Sequence, residues 1–480
     1  MVTNTTGRSG KGTKLFAVTQ QGSKAACTLP TPMLAGPYNC YFSSGGCLDS
    51  TFGPPNGYVL TDTAPGQPPV NDAGWAEDIV IQADGKIVSV GESQSGTPGA
   101  LQQVTLVRYN VDGSLDATYG SSGTGVVTVP LPYYQTIHAA ALQPDGKILA
   151  AGITGYQNAS TANVFIVVRF NTDGSLDNTF GSGGVVQMRT TFTTSKVQGK
   201  LVTSSFGFAR DMALQPDGKI VLVGSKVVRL NANGSLDTSF GNGGMFSSPL
   251  VDSAENAVVL QTVSVGGTPE TMILVGGGIQ QTQQSSVDFL LFRLTPSGSF
   301  DTTFGSSGTG ISYTDFCGKY DAAGSLAVDS AGRIIAAGYS IVSVPTEDYA
   351  VGSVARYSAN GILDPSFGDA SAGPGKSISM ALAGGDSFSK VPLQADGKIV
   401  LLGNASSGLT VYPLYFSVVR LNADGTPDDT FGTAGGVAAN IGSSTLIGLK
   451  GRIDGNGKIV MGGSINLNGP YDTAVARFLP

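Results

Sequence analysis

A motif of the form Leu-Asp-x-x-Phe-Gly returns seven times along the chain, and this repetition constrains the fold more than any other feature. Successive final glycines of the motif lie 67, 61, 60, 64, 63 and 64 residues apart. Two further motifs keep the same period: a segment typified by LQPDGKIVLVG at residues 214–224, and an apolar run that ends in Arg. A period of this length indicates a solenoid, a propeller or another array of equivalent units.

Each unit contains four short segments of strand character. In the second unit these segments are residues 125–130, 139–143, 147–152 and 164–170. The middle two meet at Asp-Gly, which is typical of a hairpin because Gly adopts the positive φ that the turn needs. No segment of helix length has helical periodicity. We therefore predict an all-β fold, a seven-bladed β-propeller of four-stranded antiparallel blades over residues 48–480.

These motifs resemble those of the delta-60 repeat family, whose units carry the pattern LQPDGKI…VVRxNxDGSLDxTFG. The resemblance covers residues 48–480, and the main departure is the fourth unit, where residues 258–277 lack the DGK turn. The family is associated with bacterial proteins that are often secreted or held at the cell surface. The resemblance implies a propeller scaffold and no defined activity, and a propeller by itself does not imply a function.

The composition limits the classes of partner. Charged residues make up 13% of the chain, about half the usual share. With a net charge of −7 and no basic stripe, the sequence predicts no nucleic-acid binding. It shows neither an apolar stretch of membrane-spanning length nor an N-terminal secretory signal. The four cysteines and a surface rich in Ser, Thr, Asn and Gly favour an oxidising compartment, so we expect an extracellular or cell-envelope location.

Every unit pairs an Arg at the end of its fourth strand with an Asp of the following Leu-Asp motif. A sevenfold feature is typical of a scaffold, so we interpret each pair as a charge-assisted contact that fixes the crossing between blades. The alternative is a ring of ligand-binding charges. The first three pairs are Arg108 with Asp116, Arg169 with Asp177, and Arg229 with Asp237.

Other chemical motifs are weak. The loop that begins Asn110-x-Asp112-Gly113 is similar to a calcium loop, but other units replace its middle Asp and no bidentate Glu follows, which favours a turn. His138 is the one histidine, and we interpret it as a polar loop residue, with a general base as the alternative. No nucleophile elbow or phosphate-binding loop occurs. We predict no catalytic residue, no metal site and no cofactor.

The loops of a four-stranded blade divide between two faces. The DGK turns and the blade crossings are short and repeated, and they share one face, here called the repeated face. The loops on the other face, the variable face, differ in length and content, so we expect any binding surface there. Exposed aromatic rings beside Asn, Gln, Ser and Thr suit sugar or protein contacts. The candidate ligand-binding residues are Trp75, Tyr133, Tyr134, Tyr156, Phe192, Tyr339, Tyr349, Tyr412 and Tyr471.

Residues 1–47 do not fit the repeat and form an N-terminal extension. Residues 14–20 could add a strand that clamps the propeller or pairs with a neighbouring subunit. The cysteines could hold the extension down, with Cys40 and Cys47 on either side of a Gly-rich turn and Cys27 and Cys317 as the remaining pair. This is one of three pairings that four cysteines allow.

The leading hypothesis is a non-catalytic binding or structural module that recognises a protein or a glycan through the variable face. A rival is a hydrolase or lyase at the mouth of the central channel, which requires His138 or a non-repeated group of carboxylates to converge there. A third hypothesis is a surface homopolymer joined through residues 1–47. The acids to examine for the rival are Glu270, Asp315, Glu347, Asp348 and Asp386.

Overall fold

A computed structural model describes residues 45–480 of the chain. The gaps in that description are residues 64–72, 95–99, 156–163, 189–190, 198–199, 207, 249, 251–252, 281–285, 317–318, 345–346, 369–371, 380–384, 407–413, 442–445 and 467–470. The described residues form seven four-stranded antiparallel sheets and one separate two-stranded hairpin. Their only helical segment is a five-residue turn at Gly53–Gly57, and no helix among them could cross a membrane.

The strand that comes first along the chain, β1 (Tyr58–Thr61), belongs to the last blade. The next three blades are given from the inner to the outer edge. Blade 1 comprises β2 (Ala73–Ile81), β3 (Ile87–Gln94), β4 (Gln103–Tyr109) and β5 (Val126–Val129), and blade 2 comprises β6 (Tyr134–Leu142), β7 (Ile148–Gly155), β8 (Val164–Phe170) and β9 (Val185–Met188). The separate hairpin, β10 (Thr191–Val197) and β11 (Lys200–Phe206), precedes blade 3, which comprises β12 (Ala209–Leu214), β13 (Ile220–Gly224), β14 (Val227–Leu230) and β15 (Met245–Phe246).

The remaining blades follow the same order. Blade 4 comprises β16 (Ser253–Val265), β17 (Thr268–Gln280), β18 (Val287–Leu294) and β19 (Ile311–Thr314), and blade 5 comprises β20 (Asp321–Val328), β21 (Ile334–Val344), β22 (Glu347–Tyr357) and β23 (Lys376–Ser379). Blade 6 comprises β24 (Gly385–Lys390), β25 (Ile399–Ser406), β26 (Leu414–Leu421) and β27 (Gly436–Ala439), and blade 7 comprises β28 (Leu446–Ile453), β29 (Ile459–Asn466), β30 (Tyr471–Phe478) and β1.

The two ends of the described chain meet in blade 7. Strand β1 pairs antiparallel with β30, and Leu48 forms a further bridge with Phe478. The outer strand of every blade therefore comes from the following sequence unit, and an N-terminal strand supplies the one that the last blade lacks. This exchange closes the ring and covers the outer edge of β30, which would otherwise be free to pair with another chain.

The three sequence motifs meet in one contact network that recurs around the ring. In blade 1, Arg108 Nε donates to Asp116 Oδ2 at 2.7 Å, and Lys86 Nζ of the DGK turn donates to the same oxygen at 2.8 Å. The Arg108 guanidinium also reaches the carbonyl of Thr172 in the next blade and lies 4.2 Å from the centre of the Tyr119 ring. The motifs therefore repeat because each one builds a blade junction.

The final glycine of the Leu-Asp motif is required by this junction. Gly120 has a φ of 75° and its N–H donates to the carbonyl of Asp173 in the next blade. A Cβ at this position would lie 2.7 Å from Cγ2 of Val127, closer than real contacts allow. A larger residue would therefore displace either the crossing or the outer strand of the blade.

The core consists of seven apolar clusters, most of which draw residues from two adjacent blades. Between blades 1 and 2, for example, Val90 and Leu106 pack in one cluster with Ile148 and Val168, and all four are buried. The apolar face of each sheet is thus covered by the sheet beside it, and the inner strands surround a central channel.

Blade 4 departs from the repeat as the sequence indicates. Strands β16 and β17 pair as far as Val265 with Thr268, so a long hairpin replaces the DGK turn on the repeated face. The missing lysine is replaced by Gln261, whose Oε1 accepts from Arg293 at 2.8 Å and whose Nε2 donates to the carbonyl of Gly332 at 2.9 Å. The junction is therefore retained with a different partner.

Candidate functional site

Every inner strand carries a β-bulge near the middle of the central channel. In blade 2, for example, the pairing register shifts between Ile137 and Ala139, which leaves His138 as the extra residue. The residues on either side of it are buried, whereas His138 is partly exposed. Since the flanking residues pack within the core, the bulge turns the extra side chain away from the core and towards the channel. The bulged residues of blades 1 to 6 are Glu77, His138, Arg210, Asn256, Gly324 and Ser389.

The repeated backbone feature carries side chains that do not repeat. Blades 1 to 3 contribute Glu77, His138 and Arg210, whereas the bulged residues of blades 4 to 6 are neutral and mostly small. This set of bulged residues is called the bulge ring. Its ionisable groups therefore lie on one half of the channel, and the bulged residues of blades 4 to 6 on the opposite half are uncharged.

The residues that follow the bulges form a second layer of charge. Lys390 Nζ of blade 6 donates to Asp211 Oδ1 of blade 3 at 3.0 Å, so this ion pair crosses the centre of the ring. Arg452 lies 3.0 Å from Asp78 Oδ1, and Lys450 lies 3.9 Å from Asp78 Oδ2. Because the inner strands run from the variable face to the repeated face, this layer lies beneath the bulge ring and forms its floor.

The floor also holds the blades together. Asp78 Oδ2 accepts a hydrogen bond from the Ala140 N–H of blade 2 at 3.1 Å, and Asp211 Oδ2 accepts one from the Val258 N–H of blade 4 at the same distance. Lys450 donates to the carbonyl of His138. Burial opposes ionisation of Asp78, but the nearby cations Arg452, Lys450 and Lys390 outweigh it and keep its pKa below the usual value. Opposite charges in the floor therefore compensate one another.

Two carboxyl groups above the floor hold protons more tightly than usual. Burial raises the pKa of Glu77 to about 7, with the charge of Asp78 adding to the effect and Lys450 opposing it. Burial and the charge of Glu77 also raise the pKa of Glu92, whose Oε2 accepts a hydrogen bond from the Ile137 N–H at 3.0 Å. At pH 7 the Glu77 carboxyl is therefore about half ionised, and the raised pKa of Glu92 likewise favours its protonated form.

His138 has the opposite character. Burial lowers its pKa to about 4, and the positive charges of Lys450 and Arg210 act in the same direction. The imidazole is therefore neutral at physiological pH and can accept a proton. A carboxyl group that is partly protonated near neutral pH and a neutral imidazole thus occupy the bulges of adjacent blades.

Arg210 is the exposed member of the bulge ring. Its guanidinium carbon lies 5.2 Å from the centre of the Phe208 ring. Phe208 precedes β12 on the side of the variable face, so the guanidinium leans towards the mouth of the channel. It forms no ion pair with the described part of the chain.

The aromatic candidates are partly brought together. The rings of Trp75 and Tyr471 lie 6.1 Å apart where blades 1 and 7 meet on the variable face. Tyr339 stacks at 5.6 Å on Tyr320, a ring that the sequence interpretation did not single out. Tyr134 is exposed at the start of β6, Tyr133 directly precedes that strand, and Tyr349 lies in β22. Tyr156 and Tyr412 lie outside the described residues, and Phe192 lies in β10 with its side chain outside the description.

The five acids singled out from the sequence do not supply the carboxylates of the channel. Asp315 lies with Asp288 and Asp321 between blades 4 and 5, where carboxylate oxygens approach within 4.8 Å of one another. Asp348 pairs with Lys319 at 2.7 Å. Glu270 lies in β17 and Glu347 in β22, whereas Asp386 is buried in the inner strand β24, where its Oδ1 accepts from the Ser417 hydroxyl of β26 at 3.5 Å.

Glu77 and Arg210 were not predicted from the sequence, because the motifs that define the units lie at repeated positions and these two residues do not repeat. Each bulged residue of blades 1 to 3 stands five positions before the Gln of the DGK motif, as Glu77 does before Gln82. Read down the units, this column gives Glu, His and Arg in succession. An alignment of the units column by column would have found the change of charge, although it would not have located the bulge.

The predicted charge pairs and turns are seen as contacts. Arg169 and Arg229 each place Nε 2.7 Å from a carboxylate oxygen, of Asp177 and Asp237 respectively. In the loop that is similar to a calcium site, Asp112 Oδ1 accepts from the backbone N–H and the hydroxyl of Ser114 at 2.9 and 2.7 Å. This carboxylate therefore closes its own turn.

Seven blades of this topology, with a non-repeated polar group in the channel, define the chain as a repeat protein of the β-propeller class. Its units match the model of a family described as "Domain of unknown function (DUF5122) beta-propeller". The matched segments are residues 82–119, 143–180, 215–240, 272–304, 332–367, 394–431 and 455–480. No curated protein matches the sequence.

Solved structures with a similar fold include several enzymes that act on glycans. The polysaccharide lyase Uly1 is 13% identical, with 88% of this chain and 98% of that chain covered and a TM-score of 0.45. A PL25 ulvan lyase bound to -[GlcA(1-4)Rha3S]- is 10% identical, with 88% and 96% covered and a TM-score of 0.41. The Trypanosoma rangeli sialidase in complex with sialic acid is 9% identical, with 88% and 59% covered and a TM-score of 0.34. Likeness at this level concerns the fold alone.

Proposed function

We propose that the protein is a non-catalytic binding module, secreted or at the cell surface, which recognises a glycan at the mouth of its central channel. The observation that carries this proposal is the bulge ring, where a sevenfold backbone feature bears side chains that differ from blade to blade. The repeated Arg and Asp side chains, by contrast, pair with one another in the blade junctions. We expect a ligand site at positions where the side chains differ from one blade to the next.

The surroundings of the channel favour a sugar over a flat protein surface. Trp75 and Tyr471 are both partly exposed at the rim, and aromatic faces suit the apolar faces of sugar rings. Asn256 offers hydrogen-bonding groups within the channel. An aromatic pair at the rim together with hydrogen-bonding groups in the channel suits a polar chain of sugars.

A location outside the reducing cytosol accords with the cysteine chemistry. Cys47 is disulfide-bonded, and the other three cysteines lie outside the described residues. Disulfides persist in oxidising compartments. The motifs also resemble those of the delta-60 repeat family, which is associated with secreted and surface proteins. This resemblance supports the same proposed location.

The test is a glycan array probed with the full-length protein, followed by titration of the best binder. The variant Trp75→Ala should weaken binding by at least tenfold, because it removes half of the aromatic pair at the rim. The control variant Leu115→Ala removes an exposed apolar side chain from the repeated face and should bind as the unmodified protein does. Equal affinities for both variants, or no glycan binder at all, would overturn the proposal.

A second candidate function, hydrolysis or elimination on the bound glycan, is favoured by Glu77 and His138. A carboxyl group with a pKa of about 7 can donate a proton at neutral pH, and a neutral imidazole can accept one. The test is mass spectrometry of glycan binders after incubation with the protein. Products that vanish in Glu77→Gln and His138→Gln, with binding retained, would establish catalysis, whereas intact glycans would leave the binding role alone.

A further inference from the structure

We infer that the channel site takes an acidic saccharide and that Arg210, with Lys226 on the same blade, binds the acidic group. This inference rests on the proposed function and names the class of its ligand. It concerns an anionic substituent, carboxylate or sulfate, on a sugar chain that enters from the variable face.

The first observation is that Arg210 differs from every other arginine that the structure describes. The other nine each lie within 4.0 Å of an aspartate oxygen, whereas Arg210 does not. Seven of the nine occupy blade junctions, and the last two pairs are Arg333 with Asp329 and Arg452 with Asp78. In a chain that pairs its arginines so consistently, the exception marks a guanidinium with donors to spare.

The second observation is the place of Arg210 in the channel. The charges of the floor beneath it are compensated within the floor, since Lys390 binds Asp211 and the cations of blade 7 surround Asp78. The guanidinium stacks near Phe208 and so is held towards the open side of the ring. It is therefore presented to a ligand above the floor.

The third observation is a second cation on the same blade. The Phe208 carbonyl accepts a hydrogen bond from the Ser225 N–H at 3.2 Å, so the turn between β13 and β14, which carries Lys226, lies beside the backbone of Phe208 on the variable face. Lys226 is partly exposed and forms no ion pair with a described residue. Blade 3 thus brings two cations that form no ion pair with a described residue to the variable face, together with an aromatic ring, a combination that suits a sugar carrying an anion.

The neighbouring carboxyl groups do not cancel this positive charge. Burial raises the pKa of Glu77 to about 7, and burial together with the charge of Glu77 raises the pKa of Glu92, so both carboxyl groups carry less negative charge near neutral pH than ordinary glutamates do. The facing half of the bulge ring is neutral, with Asn256, Gly324 and Ser389. A neutral sugar would leave the two cations uncompensated as the channel mouth is dehydrated, whereas an acidic one would pair with them.

The test compares pairs of polymers that differ only in the acidic group: polygalacturonate with its carboxyl-reduced form, and dextran sulfate with dextran. We expect the protein to bind at least one acidic member about tenfold or more tightly than its neutral partner, with a preference that weakens as salt rises. The pair that shows the preference identifies the anion as carboxylate or sulfate. Equal binding of the acidic and neutral members in both pairs would overturn the inference while leaving glycan binding intact.

Matched variants assign the effect to Arg210. Arg210→Gln should abolish the preference for the acidic polymer, and Arg210→Lys should restore part of it. The control Arg333→Gln removes an arginine paired with Asp329 on the repeated face and should retain the preference in full. An unchanged preference in a folded Arg210→Gln protein would overturn the inference. Absence of binding to all four polymers and to every glycan of the array would overturn the proposed function as well.

Discussion

Arginine side chains in this molecule occupy two kinds of environment. In a blade junction such as that of Arg477, the guanidinium is almost fully buried and its donors are taken by Asp49, the Val111 carbonyl and the Thr51 hydroxyl. At the channel mouth, Arg210 is exposed and pairs with no described carboxylate. A buried guanidinium must be fully paired to be tolerated, whereas an exposed one can keep its donors for a ligand.

The first kind of arginine should dominate stability. We expect Arg108→Met to lower the free energy of unfolding by about 3–5 kcal/mol, because Asp116 would be left buried with one cation fewer. The control Lys319→Met removes a surface partner of Asp348 and should cost less than about 1 kcal/mol. Urea unfolding measures both values, and similar costs for the two variants would contradict a structural role for the junction.

The junction aspartates should also set the acid limit of the fold. Burial opposes ionisation of Asp49, but its contacts with Lys458, Thr51 and Arg477 outweigh that effect and lower its pKa to about 2. The corresponding carboxyls of the other six blades have lowered pKa values too. A depressed folded pKa stabilises the fold above the unfolded value of about 4, and this stabilisation is lost as the pH falls through the folded pKa.

Thermal unfolding from pH 5 to pH 2 tests this expectation. The midpoint should fall steeply below about pH 4 and change less in Asp428→Asn, which has one such carboxyl fewer. The control Asp348→Asn removes an exposed carboxylate and should follow the unmodified protein. A midpoint that is flat between pH 4 and pH 2 would contradict the assigned role of these carboxylates.

At the scale of elements, β1 decides whether the ring is closed. Removal of residues 1–63 takes away β1 and the Leu48 bridge, which leaves β30 with an open edge. We expect that chain to aggregate or to unfold at a lower temperature, because an unpaired edge can join another chain. Removal of residues 1–43 with Cys47→Ser should leave the melting temperature closer to that of the full chain. Equal melting of both truncated chains would contradict closure by β1.

The sequence predicts the elements where structure follows from neighbouring residues. Asp145-Gly146 forms a hairpin turn because the required φ belongs to Gly itself, and β8 was expected at the residues it occupies. The sharing of strands between units was not predicted, because the residues of β1 do not reveal that their partner is β30. That partner is fixed by closure of the whole ring.

The same limit applies to the candidate site. His138 was noticed as the one histidine, but its place beside Glu77 and Arg210 depends on bulges in three separate blades. Asp211 and Lys390 are 179 residues apart, and no local pattern indicates that they meet across the channel. Such contacts between distant units arise only from the circular arrangement of the blades.

At the scale of the whole molecule, the two faces of the propeller have different roles. The repeated face carries the blade junctions, in which Arg, Lys, Asp and aromatic residues satisfy one another. The variable face carries the Trp75–Tyr471 pair and opens onto the bulge ring. The scaffold can therefore stay constant while the loops and bulged residues determine the ligand.

Assembly through the N-terminal extension stays a prediction, since residues 1–44 lie outside the described part of the chain. If the extension joins subunits, light scattering should show an oligomer for the full chain and a monomer after removal of residues 1–43. If both preparations are monomers, the extension does not join subunits.

The central claim is that the channel mouth on the variable face is the ligand site. A crystal structure of the protein with an oligosaccharide from its best-binding glycan tests this claim most directly. The account predicts density for the sugar above the Lys390–Asp211 pair, with an anionic group at Arg210 and a ring near Trp75. A sugar bound on the repeated face, with the channel mouth empty, would contradict it.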